Sequence, residues 1–181
     1  RWPSWTMNMA EFGWLNWVSR RGAKLGHAGS MCMLGALVER TGGPLRNANR
    51  YYRIAADHGS RDAMWNLGVN YLGSKGGERQ EALALFWIAA AAEKGQPLAS
   101  WALGRMHLAG SLVPKDQSRA IDLLKRSAAG GCRDAALMLV GAYRDGRYGV
   151  DADMQEARIW ARCSRPGVDG MIQRWRKRKK Q

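Results

Sequence analysis

Small and bulky apolar residues recur along this chain with a period of 36 residues. The glycines that mark the period are Gly59, Gly95, Gly131 and Gly167. Three further sets keep the same step: Ala63, Ala99 and Ala135; Ala48, Ala84 and Ala120; and Tyr51, Trp87, Leu123 and Ile159. A period of roughly 20 to 50 residues predicts stacked supersecondary units instead of one globular core.

Each unit is predicted to contain two antiparallel helices, separated by turns that contain Gly or Pro. The predicted helices are Ser30–Arg40, Leu45–His58, Arg61–Leu72, Glu78–Lys94, Pro97–Leu108, Asp116–Ala129, Arg133–Arg144 and Asp151–Cys163. The fold class is therefore all-α: a right-handed α/α solenoid of about four two-helix repeats with helical caps at both ends.

Glycine has two structural roles in this pattern. Gly59, Gly95 and Gly131 follow predicted helix ends, where a left-handed residue caps the last turn. Gly35 and Gly104 fall inside predicted helices, where glycine costs about 1 kcal/mol relative to Ala. Close crossing of two helices is the expected reason for these internal glycines, and Ala63, Ala99 and Ala135 are predicted to lie buried at helix crossings.

Several short strings share one family pattern. They are AADHG (Ala55–Gly59), AAEKG (Ala91–Gly95), LGVNYLG (Leu67–Gly73), LGRMHLAG (Leu103–Gly110) and GRYGVDADMQEA (Gly146–Ala157). Through them the chain resembles the Sel-one-like repeat family over roughly residues 26–167. The resemblance implies a tetratricopeptide-like solenoid and a non-enzymatic adaptor that holds protein partners. Two departures are that Val140 replaces a family Gly and that the first unit lacks the Gly-Val-x-x-Asp turn.

Three regions are predicted. Residues 1–26 form a Trp-rich segment and a capping half-repeat, residues 27–167 the solenoid, and residues 168–181 a basic helix or tail. The first region is crowded with tryptophans: Trp2, Trp5, Trp14 and Trp17. Such an aromatic segment either contacts a partner or wraps its own solenoid as a cap, and both interpretations stay open.

The chain is strongly basic, with 29 Lys and Arg against 15 Asp and Glu and a net charge of +14. The candidate polyanion-binding residues lie in the tail: Arg174, Arg176, Lys177, Arg178, Lys179 and Lys180. The tail is either a solvated, partly disordered end, a contact for RNA or DNA phosphates, or an attachment to an anionic membrane surface. Since the rest of the chain is basic too, RNA phosphate contact ranks ahead of the membrane.

Catalytic chemistry is not predicted. His27, His58 and His107 are scattered, and no His or Cys spacing resembles a zinc site. The acidic residues fit capping and solvated positions, and His107 takes the position of Tyr71 and Tyr143, so a packed ring is expected. We predict no enzyme activity, no metal, no cofactor and no small-molecule substrate.

A binding groove is predicted instead, because first helices line the concave wall of helical-pair solenoids. The candidate partner-binding residues are Trp65, Asn66, Val69, Trp101, Arg105 and Met138. Trp and Arg often anchor protein interfaces. The alternative is that both Trp rings belong to the core between repeats.

We therefore expect a scaffold or adaptor that binds protein partners, first as a structural subunit of a large complex. Given the charge, a ribonucleoprotein such as an organellar ribosome is favoured; the alternative is a soluble peptide-binding adaptor in bacterial signalling, secretion or host interaction.

The cysteines are odd in number and do not recur with the repeat period: Cys32, Cys132 and Cys163. This pattern indicates reduced thiols in an intracellular compartment. The mitochondrial matrix or another organelle is favoured over the cytoplasm. The missing initiator Met indicates either a removed targeting segment or a fragment.

Overall fold

The structure, a computed structural model, describes residues 13, 17, 21–22, 25–73 and 80–164. All regular secondary structure in these residues is helical, which confirms the all-α prediction. Eight helices are described: α1 (Ala28–Arg40), α2 (Leu45–Asp57), α3 (Arg61–Leu72), α4 (Glu81–Glu93), α5 (Pro97–Ala109), α6 (Gln117–Ala129), α7 (Arg133–Asp145) and α8 (Met154–Cys163). The predicted C-terminal cap and most of the N-terminal cap lie outside the described residues.

The predicted start of α8 at Asp151 is wrong by three residues. The helix begins at Met154, because Asp153 is extended, with φ −138° and ψ 104°. Its carboxylate accepts hydrogen bonds from the backbone N–H groups of Gln155 at 2.7 Å and Glu156 at 3.1 Å. These bonds satisfy two of the donors that a helix N-terminus leaves without an intrahelical partner.

Three other predicted helix starts also move, and of these α1 begins at Ala28, two residues earlier than predicted. Asp116 precedes α6 as its N-cap and accepts from the N–H of Arg119 at 2.9 Å, so the helix begins one residue later than predicted. Gln80 precedes α4 instead of lying inside it, and Glu78 falls outside the described residues. The carboxylate N-caps Asp116 and Asp153 explain why α6 and α8 begin later than the sequence pattern predicts.

The chain divides into two compact units, Arg1–Ala84 and Leu85–Gln181. In the first unit α2 packs against both α1 and α3. In the second unit α5 packs on α6, α6 on α7 and α7 on α8. Each unit thus buries helix faces between neighbours in sequence, as a helical repeat requires.

Small and branched apolar residues form the core of each unit. The in-phase alanines Ala63, Ala99 and Ala135 have no exposed surface, which confirms their predicted burial at helix crossings. In the second unit the core cluster joins α6, α7 and α8, with Leu139 and Trp160 at most 1% exposed.

The internal glycines lie where two helices of one repeat approach closely. A Cβ on Gly104 would lie 3.2 Å from the carbonyl oxygen of Ala120 and 3.3 Å from Cγ of Leu124. Gly35 is in similar contact with α2. The predicted close crossing is therefore confirmed, and the turn glycines are left-handed as predicted, for example Gly131 with φ +95°.

Candidate protein-binding face

The groove face is the name used here for the accessible side of each repeat's first helix. In the first unit it comprises Cys32, Met33, Trp65, Asn66 and Val69. Val69 is 41% exposed and Met33 48% exposed, whereas Trp65 and Asn66 are half-buried. The side-chain amide of Asn66 contacts Sγ of Cys32 at 3.9 Å, which joins α3 to α1. The first unit therefore presents a mainly apolar face with one amide.

A polar network holds the three helices of the first unit together. The carboxylate of Glu39 on α1 accepts from the hydroxyl of Tyr52 on α2 at 3.1 Å and from the amide of Asn70 on α3. Nδ2 of Asn70 also donates to Oδ1 of Asn49 at 2.8 Å. Burial, reinforced by the Glu39 charge, raises the pKa of Tyr52 well above its usual range. This network fixes the orientation of α3, on which Trp65 and Val69 lie.

Burial also affects the thiol beside Asn66. It raises the pKa of Cys32, and the negative charge of Asp62 adds to the shift. A raised pKa leaves little thiolate at neutral pH, so this thiol is a poor nucleophile and a poor metal ligand. The Cys32 position therefore contributes surface and not reactivity.

An Arg–Trp pair lies on the groove face of the second unit. The guanidinium carbon of Arg105 lies 4.8 Å from the ring centroid of Trp101, within cation–π range. Arg105 is exposed, whereas Trp101 is half-buried and packs against the core cluster. Nε1 of Trp101 is buried without a hydrogen-bond partner among the described residues. One edge of the indole thus packs against the core, and one face of it contacts the guanidinium.

Two neighbouring residues of α7 differ in exposure: Leu137 lies at the surface and Met138 lies against the core. Met138, the predicted contact residue, packs partly buried against the core cluster. Leu137 is 47% exposed and occupies the repeat position of Trp101. The 36-residue period places Leu137, and not the predicted contact residue Met138, at the position equivalent to Trp101.

A second guanidinium lies near the repeat position of Arg105. That position is Gly141 in the next repeat, and a Cβ there would lie 3.8 Å from a guanidinium nitrogen of Arg147. Arg147 comes from the turn after α7 and also bonds to Asp145, which Arg144 holds at 2.6 Å. Hydrogen bonds from Arg144 and then Arg147 keep the pKa of Asp145 well below its usual range. Two arginines around one carboxylate leave this end of the face positive.

The predicted polyanion site in the tail, Arg174 to Lys180, lies outside the described residues. Other exposed arginines are described on α2, among them Arg46 and Arg50. The described surface is thus basic in places that the tail prediction did not name.

The remaining features of the described residues concern metal ligation, the His107 ring and membrane crossing. None of them form a group of three or more His, Cys, Asp or Glu that could hold a metal ion. His107 is buried, and its Nδ1 lies 3.0 Å from the carbonyl oxygen of Pro114, which confirms the predicted packed ring. None of the described helices has the length and apolarity to cross a membrane.

Paired helices of nearly constant repeat length, with small residues at their crossings, define an α/α solenoid of the interaction-repeat class. The Sel1 repeat model matches residues 23–60, 61–96, 97–132 and 134–164, and the chain belongs to the Sel1 repeat family. Sel1 repeats generally mediate protein–protein interactions and are typically non-catalytic modules.

Two crystal structures support the same fold. A Sel1 repeat protein from Oxalobacter formigenes is 28% identical with a TM-score of 0.76, and the match covers 86% of this chain and 62% of that one. The protein c5321, a protective antigen present in uropathogenic Escherichia coli strains displaying an SLR fold, is 28% identical with a TM-score of 0.70. That match covers 94% of this chain and 38% of that one. The chain thus spans less than two thirds of either similar protein.

Proposed function

We propose that this chain is a non-catalytic adaptor that binds a protein partner through the groove face of its repeats. The observation that carries the proposal is the exposed Arg105 guanidinium on the Trp101 ring, in a unit that also exposes Leu137. Arg and Trp are enriched among residues that dominate binding energy. The stacked guanidinium is already held in place, so less side-chain entropy is lost when it binds.

The partner surface is proposed to be apolar with carboxylates. In the second unit Leu137 offers an exposed apolar contact, and Arg105 and Arg147 offer charge. A carboxylate can accept two parallel hydrogen bonds from one guanidinium, which gives direction as well as affinity. An acidic peptide segment with bulky apolar side chains matches this combination.

The experiment is a capture of bound proteins by the full chain, compared between wild type and two groove variants, Arg105→Glu and Leu137→Ala. Each variant has a control that makes the same change on the second helix of a repeat: Arg119→Glu and Met154→Ala, both at exposed positions. We expect the groove variants to weaken the partner at least about tenfold, or about 1.4 kcal/mol. If groove and control variants lose the partner equally, the groove face is not the binding surface.

A second candidate function is a structural subunit of a ribonucleoprotein, such as an organellar ribosome. The net charge of +14 and the six cations of residues 174–180 support it, because cations bind phosphates with release of counterions. The bacterial origin of both similar structures supports the first candidate, in bacterial signalling, secretion or host interaction. The three free cysteines support a reducing intracellular compartment for either function.

A further inference from the structure

A cleft of about 1080 Å³ opens in the first unit, beside α1 and α2. The α1 side of the cleft carries Met31, Leu34 and Val38. Their spacing of three and four residues places them along one side of the helix. The cleft shares no residue with the groove face, so it is a separate candidate site.

The same surface is covered in the later repeats. Met31 and Tyr51, which both line the cleft, are half-buried. Their counterparts one repeat later, Met64 and Trp87, are each 7% exposed, and Leu123, a further repeat on, is 5% exposed. Repeats that stack bury these positions against the preceding helices. In the first repeat Met31 and Tyr51 keep more exposed surface than these counterparts, and the cleft lies beside them.

The rim of the cleft is positively charged. Arg50 of α2 and Arg21, which precedes α1, both line it and are both exposed. The guanidinium of Arg21 lies 5.5 Å from the ring centroid of Trp17, another exposed lining residue. Among the described residues that line the cleft there is no carboxylate to neutralise these charges. An apolar floor therefore lies under a rim whose described charged residues are both arginines.

We propose that this cleft binds an amphipathic helix of a protein partner, with bulky apolar side chains on one face and carboxylates beside them. The floor from Met31 to Val38 is about 10 Å long at 1.5 Å per residue, which matches two helical turns. Apolar side chains spaced three or four residues apart would enter the floor, as in other helix-in-groove complexes. Carboxylates flanking them would reach Arg21 and Arg50 as charge-assisted pairs.

The probe for this proposal is a phage-displayed library of helix-forming 16-residue peptides, selected on the full chain. We expect the recovered peptides to be enriched in Asp and Glu beside apolar residues at helical spacing. Their dissociation constants are then measured by fluorescence anisotropy for wild type and for Arg50→Glu, and the variant should bind at least about tenfold more weakly. Arg46→Glu is the matched control, because Arg46 is an exposed arginine of the same helix that does not line the cleft.

A charge swap makes the test specific. Peptides in which the interacting Glu is changed to Lys should bind Arg50→Glu more tightly than wild type. Peptides that lose affinity for Arg105→Glu but not for Arg50→Glu report on the groove face, so the two proposals fail independently.

Two outcomes would overturn the cleft proposal. One is that the selected peptides bind Arg50→Glu and Arg46→Glu equally. The other is that acidic peptides bind only after residues 1–12 are deleted, which would mean that the chain's own N-terminal segment occupies the cleft. Circular dichroism of each variant establishes that its helices are retained.

Discussion

Gly35 of α1 and Tyr52 of α2 are in direct contact: a Cβ on Gly35 would lie 2.6 Å from Cε1 of the Tyr52 ring. Tyr52 has no exposed surface, and its hydroxyl is held by Glu39. The ring can therefore not move aside, and the absence of a side chain at residue 35 sets how closely the two helices approach.

We predict that Gly35→Ala lowers the free energy of unfolding by about 1–2 kcal/mol. Overpacking a closed core contact costs about 1–3 kcal/mol, and Ala regains up to about 1 kcal/mol of helix propensity. Urea unfolding followed by circular dichroism measures the difference. Gly29→Ala is the control in the same helix, because a Cβ there meets nothing within 4 Å. A Gly35 variant as stable as the Gly29 variant would contradict the close contact.

Ser127 connects the end of α6 to the start of α5 in the second unit. Its hydroxyl donates to the carbonyl oxygen of Pro97 at 2.6 Å, and Ser127 has no exposed surface. Ser127→Ala removes this bond between the two helices, so we expect a loss of about 1 kcal/mol in the free energy of unfolding. Ser118→Ala, at an exposed position of α6, should change it by less than about 0.5 kcal/mol. Equal stabilities of the two variants would show that this bond contributes nothing.

The features that could be predicted from the sequence are those that repeat. Equivalent helix-crossing positions in three repeats hold Ala63, Ala99 and Ala135. Each of these positions requires a small side chain, so alanine recurs with the 36-residue period. Gly131 and its counterparts need a left-handed backbone, which few other residues adopt without strain. A residue preference that is weak at one position becomes a reliable predictor of structure when it recurs at equivalent positions of several repeats.

The contacts that could not be predicted occur once. Glu39 has no counterpart with the same chemistry in later repeats, and its bonds to Tyr52 and Asn70 join residues distant in sequence. Arg147 reaches the Gly141 position from a turn outside the helix register. Nothing in the repeat pattern indicates either contact, because both depend on the path of one side chain in three dimensions.

Tyr52 makes stability depend on pH in the alkaline range. Its pKa is raised by burial and by Glu39, so its stabilising contribution is complete below the ordinary tyrosine pKa near 10 and is lost as pH rises through the folded-state value. The free energy of unfolding should therefore fall above about pH 10, by at most about 1.4 kcal/mol per pH unit from this residue.

Tyr52→Phe separates this effect from the raised pKa values of Cys32 and Cys163, which act in the same direction. We expect the variant to be less stable at pH 8, because it lacks the bond to Glu39, yet to lose less stability between pH 9.5 and 11. Urea titrations at several pH values measure both quantities. A pH slope identical to that of the wild type would contradict a raised Tyr52 pKa.

Deleting residues 174–181 distinguishes RNA binding from groove binding. If the six cations of this segment contact phosphates, their removal should weaken binding to a labelled single-stranded RNA and flatten its salt dependence. The slope of log K against log salt is about −0.7 per phosphate contact on single strands, so the loss of six contacts would change it by up to about 4. Anisotropy titrations between 50 and 200 mM salt measure this change, and a chain with the six cations changed to Gln keeps the length constant.

Partner capture through Arg105 should survive the deletion, because each helical repeat is stabilised mainly by its neighbours. Equal RNA affinity of the intact and truncated chains at both ends of that salt range would rule out the tail as a phosphate-binding segment and leave the groove-face proposal intact.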